Sequence, residues 1–185
     1  MKRLYNFKHQ RKVVFLVGNI GSGKTTYAQT LKDEYVTTSR DRIRYMLGGG
    51  EYVFLKEFES AVWNAEFSLF SELLATGVNI LIDEVNTNHF MRSRYLYEID
   101  DYIGNFDVPH IERIAVVFPI IPKKEAVDRR MCDPHGKFSR KEWEEVWERF
   151  NTQYKEPTLK EGFNKIIQLK SEVKNGKVIF TGDKP

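Results

Sequence analysis

Apolar residues along the chain fall into short continuous runs, separated by longer stretches in which they recur every three or four positions. The runs Val13 to Val17, Tyr35 to Thr38, Asn79 to Ile82 and Ile114 to Phe118 have the length and composition of buried strands. Between them, Phe58, Val62, Ala65, Leu69 and Leu73 recur at helical spacing, as do Met91, Tyr95, Ile99 and Ile103. Each set predicts a helix stripe facing a core. Ser139-Arg140-Lys141-Glu142 is a capping box that opens a further helix, with Trp143, Val146, Trp147 and Phe150 on one face as packing residues. The tail, Ile166 to Leu169, Lys174-Asn175-Gly176-Lys177 and Val178 to Thr181, predicts a C-terminal hairpin over residues 164–181 around an Asn-Gly turn. Strands alternating with helices predict an α/β fold, a parallel sheet flanked by helices.

The first strand delivers the chain directly to Gly18-Asn19-Ile20-Gly21-Ser22-Gly23-Lys24-Thr25, a complete G-x-x-x-x-G-K-[ST] phosphate-binding loop. Successive backbone N–H groups can face an anion only where no Cβ blocks close approach, which the glycines provide. Thr25 to Leu31 reads as a helix whose N-terminal end points at the same anion. Lys24 is placed to reach the β and γ phosphates, and the Thr25 hydroxyl to ligate Mg²⁺. Gly18 to Thr26 is therefore the candidate nucleotide-binding segment, for ATP or another nucleoside triphosphate with Mg²⁺.

Composition narrows the picture. At 185 residues, with 41% hydrophobic and 30% charged residues, the chain suits one globular domain and not a disordered one. No apolar stretch approaches membrane-spanning length and no signal-type segment follows Met1-Lys2-Arg3, so the expectation is a cytoplasmic protein without a membrane partner. The net charge of +3 does not by itself announce a nucleic-acid binder. Lys2, Arg3, Lys8, His9, Arg11 and Lys12 make residues 1–12 a basic, solvated N-terminal segment. With Cys132 the only cysteine, neither an internal disulfide nor a structural zinc site is expected.

Phosphoryl transfer needs a group to deprotonate the acceptor, Mg²⁺ ligation and extra positive charge on the moving phosphate. Asp41 follows the second strand, at the sheet edge where open α/β folds bind ligands, and can accept a proton from an incoming hydroxyl. Arg44, three residues on, shares its face and can hold an anionic substrate group, unless Asp41 is a helix cap tied to Arg44. Gly48-Gly49-Gly50 ends that helix in a mobile connection. The apolar strand Ile80-Leu81-Ile82 ends in Asp83 and Glu84, of which alternation turns only one towards Mg²⁺. Asn86 and Asn88 can orient ligands or cap a helix. Lys123, Lys124, Arg129 and Arg130 lead into a candidate lid loop at 131–138, where arginine can stabilise γ-phosphate charge while other cations are merely solvated.

The order of these parts resembles the kinase domain of polynucleotide 5′-hydroxyl kinases, both the phage enzyme and the animal kinase-phosphatase. The likeness rests on Gly18 to Thr25, on Arg40-Asp41-x-x-Arg44, and on Ile82-Asp83-Glu84-Val85-Asn86 before an arginine-bearing helix. It rests most specifically on the stretch from Phe150 to Phe163, with Pro157-Thr158-Leu159-Lys160-Glu161-Gly162-Phe163, which looks like the F…P-T-L-x-E-G-F segment that follows the lid in the animal enzymes. The resemblance implies a P-loop kinase fold, an adenylate-kinase-like parallel sheet with a lid, and transfer from a nucleoside triphosphate to the 5′-hydroxyl of DNA or RNA. It gives Asp41 the position of general base, Arg44 that of the arginine on the phosphate 3′ to the accepting nucleotide, and Arg129 or Arg130 that of a donor-phosphate contact. The chain departs from the family's Asp-x-Thr-Asn at Val85. It also lacks phosphatase and ligase motifs, so those activities would come from separate proteins.

A polynucleotide 5′-hydroxyl kinase is thus the leading expectation. A kinase of a nucleoside, sugar or antibiotic hydroxyl on the same fold is the alternative, and a non-catalytic nucleotide-binding module is the third.

Overall fold

A computed structural model describes residues 11–106, 108, 110–132, 138–174 and 177–185. Its centre is a five-stranded, wholly parallel sheet in the order β2-β3-β1-β4-β5, formed by β1 (Arg11–Val17), β2 (Val36–Thr38), β3 (Ile80–Ile82), β4 (Ile111–Val117) and β5 (Lys165–Gln168). Val13 to Val17 are at most 1% exposed, because β1 is the middle strand and both of its faces meet helices. The connections carry α1 (Lys24–Thr30), α2 (Arg40–Leu47), α3 (Glu59–Thr76), α4 (His89–Asn105), α5 (Lys123–Met131) and α6 (Arg140–Thr152). This is the P-loop kinase fold, a parallel sheet flanked by helices.

Alternate residues of β1 divide the core. Val13, Phe15 and Val17 pack with Phe70 and Leu74 of α3 and with Tyr95, Leu96 and Ile99 of α4. Val14 and Leu16 pack against Tyr27, Ala28 and Leu31 of the α1 region. A third cluster joins Ile20 to Val127 of α5 and Trp143 of α6, with Val146, Trp147 and Phe150 against it, so the α6 aromatics are packing residues as expected. Among the described residues no helix is long and apolar enough to cross a membrane.

The four expected strands form, within one to three residues of their expected ends, and the capping box at Ser139 is complete. Three expectations change. The buried face of α3 is Val62, Glu66, Phe70 and Leu74, while Phe58 and Leu69 are 44% and 45% exposed. The helix is rotated from its apolar stripe because Glu66 is buried as a partner of Tyr95, whose hydroxyl donates to Glu66 Oε2 at 2.5 Å. Ile166 to Leu169 is not a hairpin arm. Most of it is β5, parallel to β4, and the hairpin is formed by β6 (Lys170–Lys174) and β7 (Lys177–Thr181). Arg11 and Lys12 belong to β1 and not to a solvated segment, since the Lys12 amide donates to Asn79 Oδ1 at 3.0 Å and Arg11 Nη1 to the Leu74 carbonyl at 3.3 Å. Residues 1–10, the Asn175-Gly176 turn and residues 133–137 of the expected lid lie outside the described residues.

Candidate nucleotide and phosphoryl-transfer site

The sheet order makes β1 the point where the chain winds first to one side, through β3 and β2, and then to the other, through β4 and β5. A crevice opens at the carboxyl ends of strands at such a point. Here it is a cavity of about 1350 Å³, lined by the phosphate loop, the α2 side chains Asp41 and Arg44, Asp83, and Arg129 and Arg130 of α5. Small-molecule sites are typically about 300–1,000 Å³, so the cavity has room for a nucleotide and an acceptor together.

The loop's turn is set by Gly21 and Gly23, at φ 68° and 93°, a region that costs side-chain-bearing residues strain. A Cβ at Gly21 would also meet the Ala126 carbonyl oxygen at 2.8 Å. Asn19 is turned from the cavity, with Nδ2 donating to the Trp147 carbonyl at 2.9 Å, while Ile20 borders the cavity and is buried against α5 and α6. These two residues tie the loop down, while Thr25 and Thr26 are exposed at its mouth.

Lys24 is buried and folded back on the loop, with Nζ donating to the carbonyls of Gly18 and Asn19 at 2.9 and 2.8 Å. Burial pushes its ammonium down to about 8, against the pull of Asp83. Asp83 is the inward carboxylate. Burial pushes it up to about 6, against the effect of the Lys24 ammonium and the nearby Thr25 hydroxyl. Glu84 turns the other way, accepting from the Arg40 amide at 2.7 Å and from the Arg40 guanidinium. Arg40 in turn lies 3.6 Å from the Trp63 ring centroid. The β3 end thus separates its two acids, one to the phosphate loop and one to the start of α2.

Asp41 lies in the first turn of α2, but the N-cap is Ser39, so Asp41 is not the cap. It accepts from Arg44 Nη1 at 2.6 Å and from the Tyr52 hydroxyl at 3.1 Å. Arg44 also donates through Nε and Nη2 to Glu59 at 2.9 and 2.6 Å. Arg129 Nη1 donates to the Gly21 carbonyl at 2.8 Å. Arg130 lies near enough to Lys24 to help depress its ammonium, and its guanidinium is 5.3 Å from the Trp143 ring. Lys123 pairs with Glu148 at 2.7 Å on the surface, and Lys124 is exposed. Asn88 caps α4, accepting from the Met91 amide at 3.0 Å. Asn86, at φ 46°, donates through Nδ2 to the Leu16 carbonyl at 3.0 Å, so both asparagines are structural.

Sequence reading missed Glu59, Tyr52 and Trp63. Each reaches the site across the connection that follows Gly48-Gly49-Gly50, and no local pattern marks it.

Fold and site together define a P-loop nucleotide-binding protein of the kinase type. A family profile described as AAA_33, an AAA domain, matches residues 13–120, more than half of the chain, and the chain belongs to that family. No curated protein matches it. Among solved structures it is similar to a fungal RNA kinase, with a TM-score of 0.63 and 16% identity over 91% of this chain and 79% of that one. It is also similar to shikimate kinase from Acinetobacter baumannii, with a TM-score of 0.52 and 16% identity over 86% of this chain and 84% of that one. A Pnkp1/Rnl/Hen1 complex matches at 25% identity and a TM-score of 0.46, over 65% of this chain and 39% of that one.

Proposed function

We propose that the protein transfers the γ-phosphoryl group of a nucleoside triphosphate to the 5′-hydroxyl end of DNA or RNA. The observation that carries the reading is the Asp41–Arg44 pair at 2.6 Å, facing the phosphate loop across one cavity. It offers a proton acceptor and an anion-holding guanidinium on the acceptor side. The residue likeness from Gly18 to Phe163 supports a polynucleotide acceptor.

In the reaction, the 5′-oxygen forms a bond to the γ-phosphorus as the bond to the β–γ bridging oxygen breaks, and the hydroxyl proton passes to Asp41. Lys24 leaves the Gly18 and Asn19 carbonyls to meet the β and γ phosphates. Arg130, lining the same cavity, adds charge where it develops, while Arg129 braces the loop at Gly21. Thr25 and Asp83 fit Mg²⁺, which favours oxygen ligands and takes few protein carboxylates alongside phosphates. When bound, it neutralises charge on the phosphate oxygens.

One observation favours the small-molecule reading: Arg44 already has carboxylate partners in Asp41 and Glu59, and an uncharged acceptor would not need to displace them. Incubation with Mg²⁺, γ-labelled triphosphate and a panel of 5′-hydroxyl single strands, duplex ends, nucleosides and sugars separates the two. Label is expected on oligonucleotide 5′ ends, and label confined to a small metabolite refutes the proposal.

A further inference from the structure

Displacement at phosphorus is roughly in line, so the incoming hydroxyl and the departing nucleoside diphosphate lie on opposite sides of the γ-phosphorus. Asp41 belongs to the helix that follows β2, on the β2–β3 side of the phosphate loop. The departing nucleotide then runs the other way, towards the β4–β5 side of the cavity. The first element beyond β5 is the β6–β7 hairpin, and Phe180 of β7 lines the same cavity as the loop. Its ring lies so close to Gly23 that a Cβ there would meet Cζ at 2.6 Å. Tyr27 and Phe118 hold the ring edge-to-face from the core, with centroids 5.8 and 5.2 Å away. The ring is half-buried, oriented by two neighbours and partly open to the cavity.

We propose that Phe180 is the nucleobase platform of the donor site, resting on the reading of the loop as triphosphate seat and of Asp41 as the acceptor side. An aromatic face stacks on every base, so the platform holds the nucleoside without choosing its sequence edge. Gly23 has a second role in this arrangement: any side chain there would push the platform away from the phosphates.

Calorimetric titration with ATP and with inorganic tripolyphosphate, each with Mg²⁺, tests this on the wild type, Phe180→Leu and Phe180→Tyr. Phe180→Leu should weaken ATP roughly tenfold and leave tripolyphosphate within twofold, while Phe180→Tyr keeps wild-type affinity for both. Equal ATP affinity in Phe180→Leu and wild type, equal loss for both ligands, or an ATP loss in Phe180→Tyr as large as in Phe180→Leu would each overturn the assignment. Wild-type protein that bound neither ligand would instead overturn the nucleotide-site reading beneath it. Tripolyphosphate binding also reports that each variant keeps a folded loop.

Discussion

Arg44 gives two donors, Nε and Nη2, to the single carboxylate of Glu59, at 2.9 and 2.6 Å. That is the fork geometry a guanidinium also presents to phosphate. Glu59 therefore stands as a competitor for the substrate phosphate assigned to Arg44. Glu59→Gln is expected to lower KM for a 5′-hydroxyl oligonucleotide about tenfold, the scale of one charged hydrogen bond. The KM for a nucleoside should stay unchanged. Steady-state kinetics on both acceptors checks this, and an equal change on both would show that Glu59 merely positions Arg44.

Asp41 and Arg44 touch, yet the proposed mechanism gives them different jobs. Asp41→Asn keeps the size and much of the hydrogen bonding but removes the proton acceptor, so kcat should fall roughly 10²- to 10⁴-fold with little change in oligonucleotide affinity. Arg44→Ala should raise KM for oligonucleotides far more than for a nucleoside, and added salt should shrink the difference. An active Asp41→Asn would remove the general base from the mechanism.

The parts of this protein that were legible in its sequence are those specified locally. Strand β1 and the loop after it form one continuous pattern, and the Ser139 capping box spans four residues. What was not legible depends on partners distant along the chain. Glu66 is core because Tyr95 supplies its hydrogen bond, so the apolar spacing of α3 pointed to the wrong face. Alternation showed that Asp83 and Glu84 must part but not which turned inward, because that depends on Arg40 taking Glu84. Phe180 meets Gly23 from the opposite end of the chain, and no spacing rule joins them.

Lys24 at about 8 and Asp83 at about 6 set a pH window for nucleotide use. Below about 6, Asp83 takes up a proton and would lose the Mg²⁺-ligand role proposed for it. Above about 8, Lys24 loses its charge and its pull on phosphate. The kcat/KM for the triphosphate should therefore be bell-shaped between those values, because it reports groups of the free enzyme. Asp83→Asn, with lower activity throughout, should lose the acid limb and keep the alkaline one. An unchanged acid limb in that variant would assign it to another group.

The two arginines of α5 should separate kinetically. Arg129 braces the loop through the Gly21 carbonyl at 2.8 Å, so Arg129→Ala should mainly raise KM for the triphosphate. Arg130 lines the same cavity as the phosphate loop, so Arg130→Ala should mainly lower kcat, by about 10³-fold or more if it acts fully on the transition state. Equal and small losses from both would move the charge-stabilising role elsewhere.

The segment that most resembles the polynucleotide kinases has a structural job that stability measurements can read. Glu161 accepts from Arg92 Nε and Nη2 at 2.8 and 2.9 Å, while Arg92, fully buried, donates through Nη1 to the carbonyls of Asn86 and Lys155 at 2.9 Å each. One guanidinium thus joins the β3 exit, α4 and the chain after α6, holding in place the turn that carries Asp83. Removing one partner of a buried pair leaves the other charge uncompensated, at about 3–5 kcal/mol. Arg92→Ala should lower Tm by roughly 10 °C, and Glu161→Gln by less, because the amide oxygen still accepts. The double variant should lose clearly less than the sum of the two, since without the Arg92 guanidinium the Glu161 change has no pair left to weaken. Thermal melts of all four proteins supply the cycle, and additive losses would show that Arg92 and Glu161 act independently.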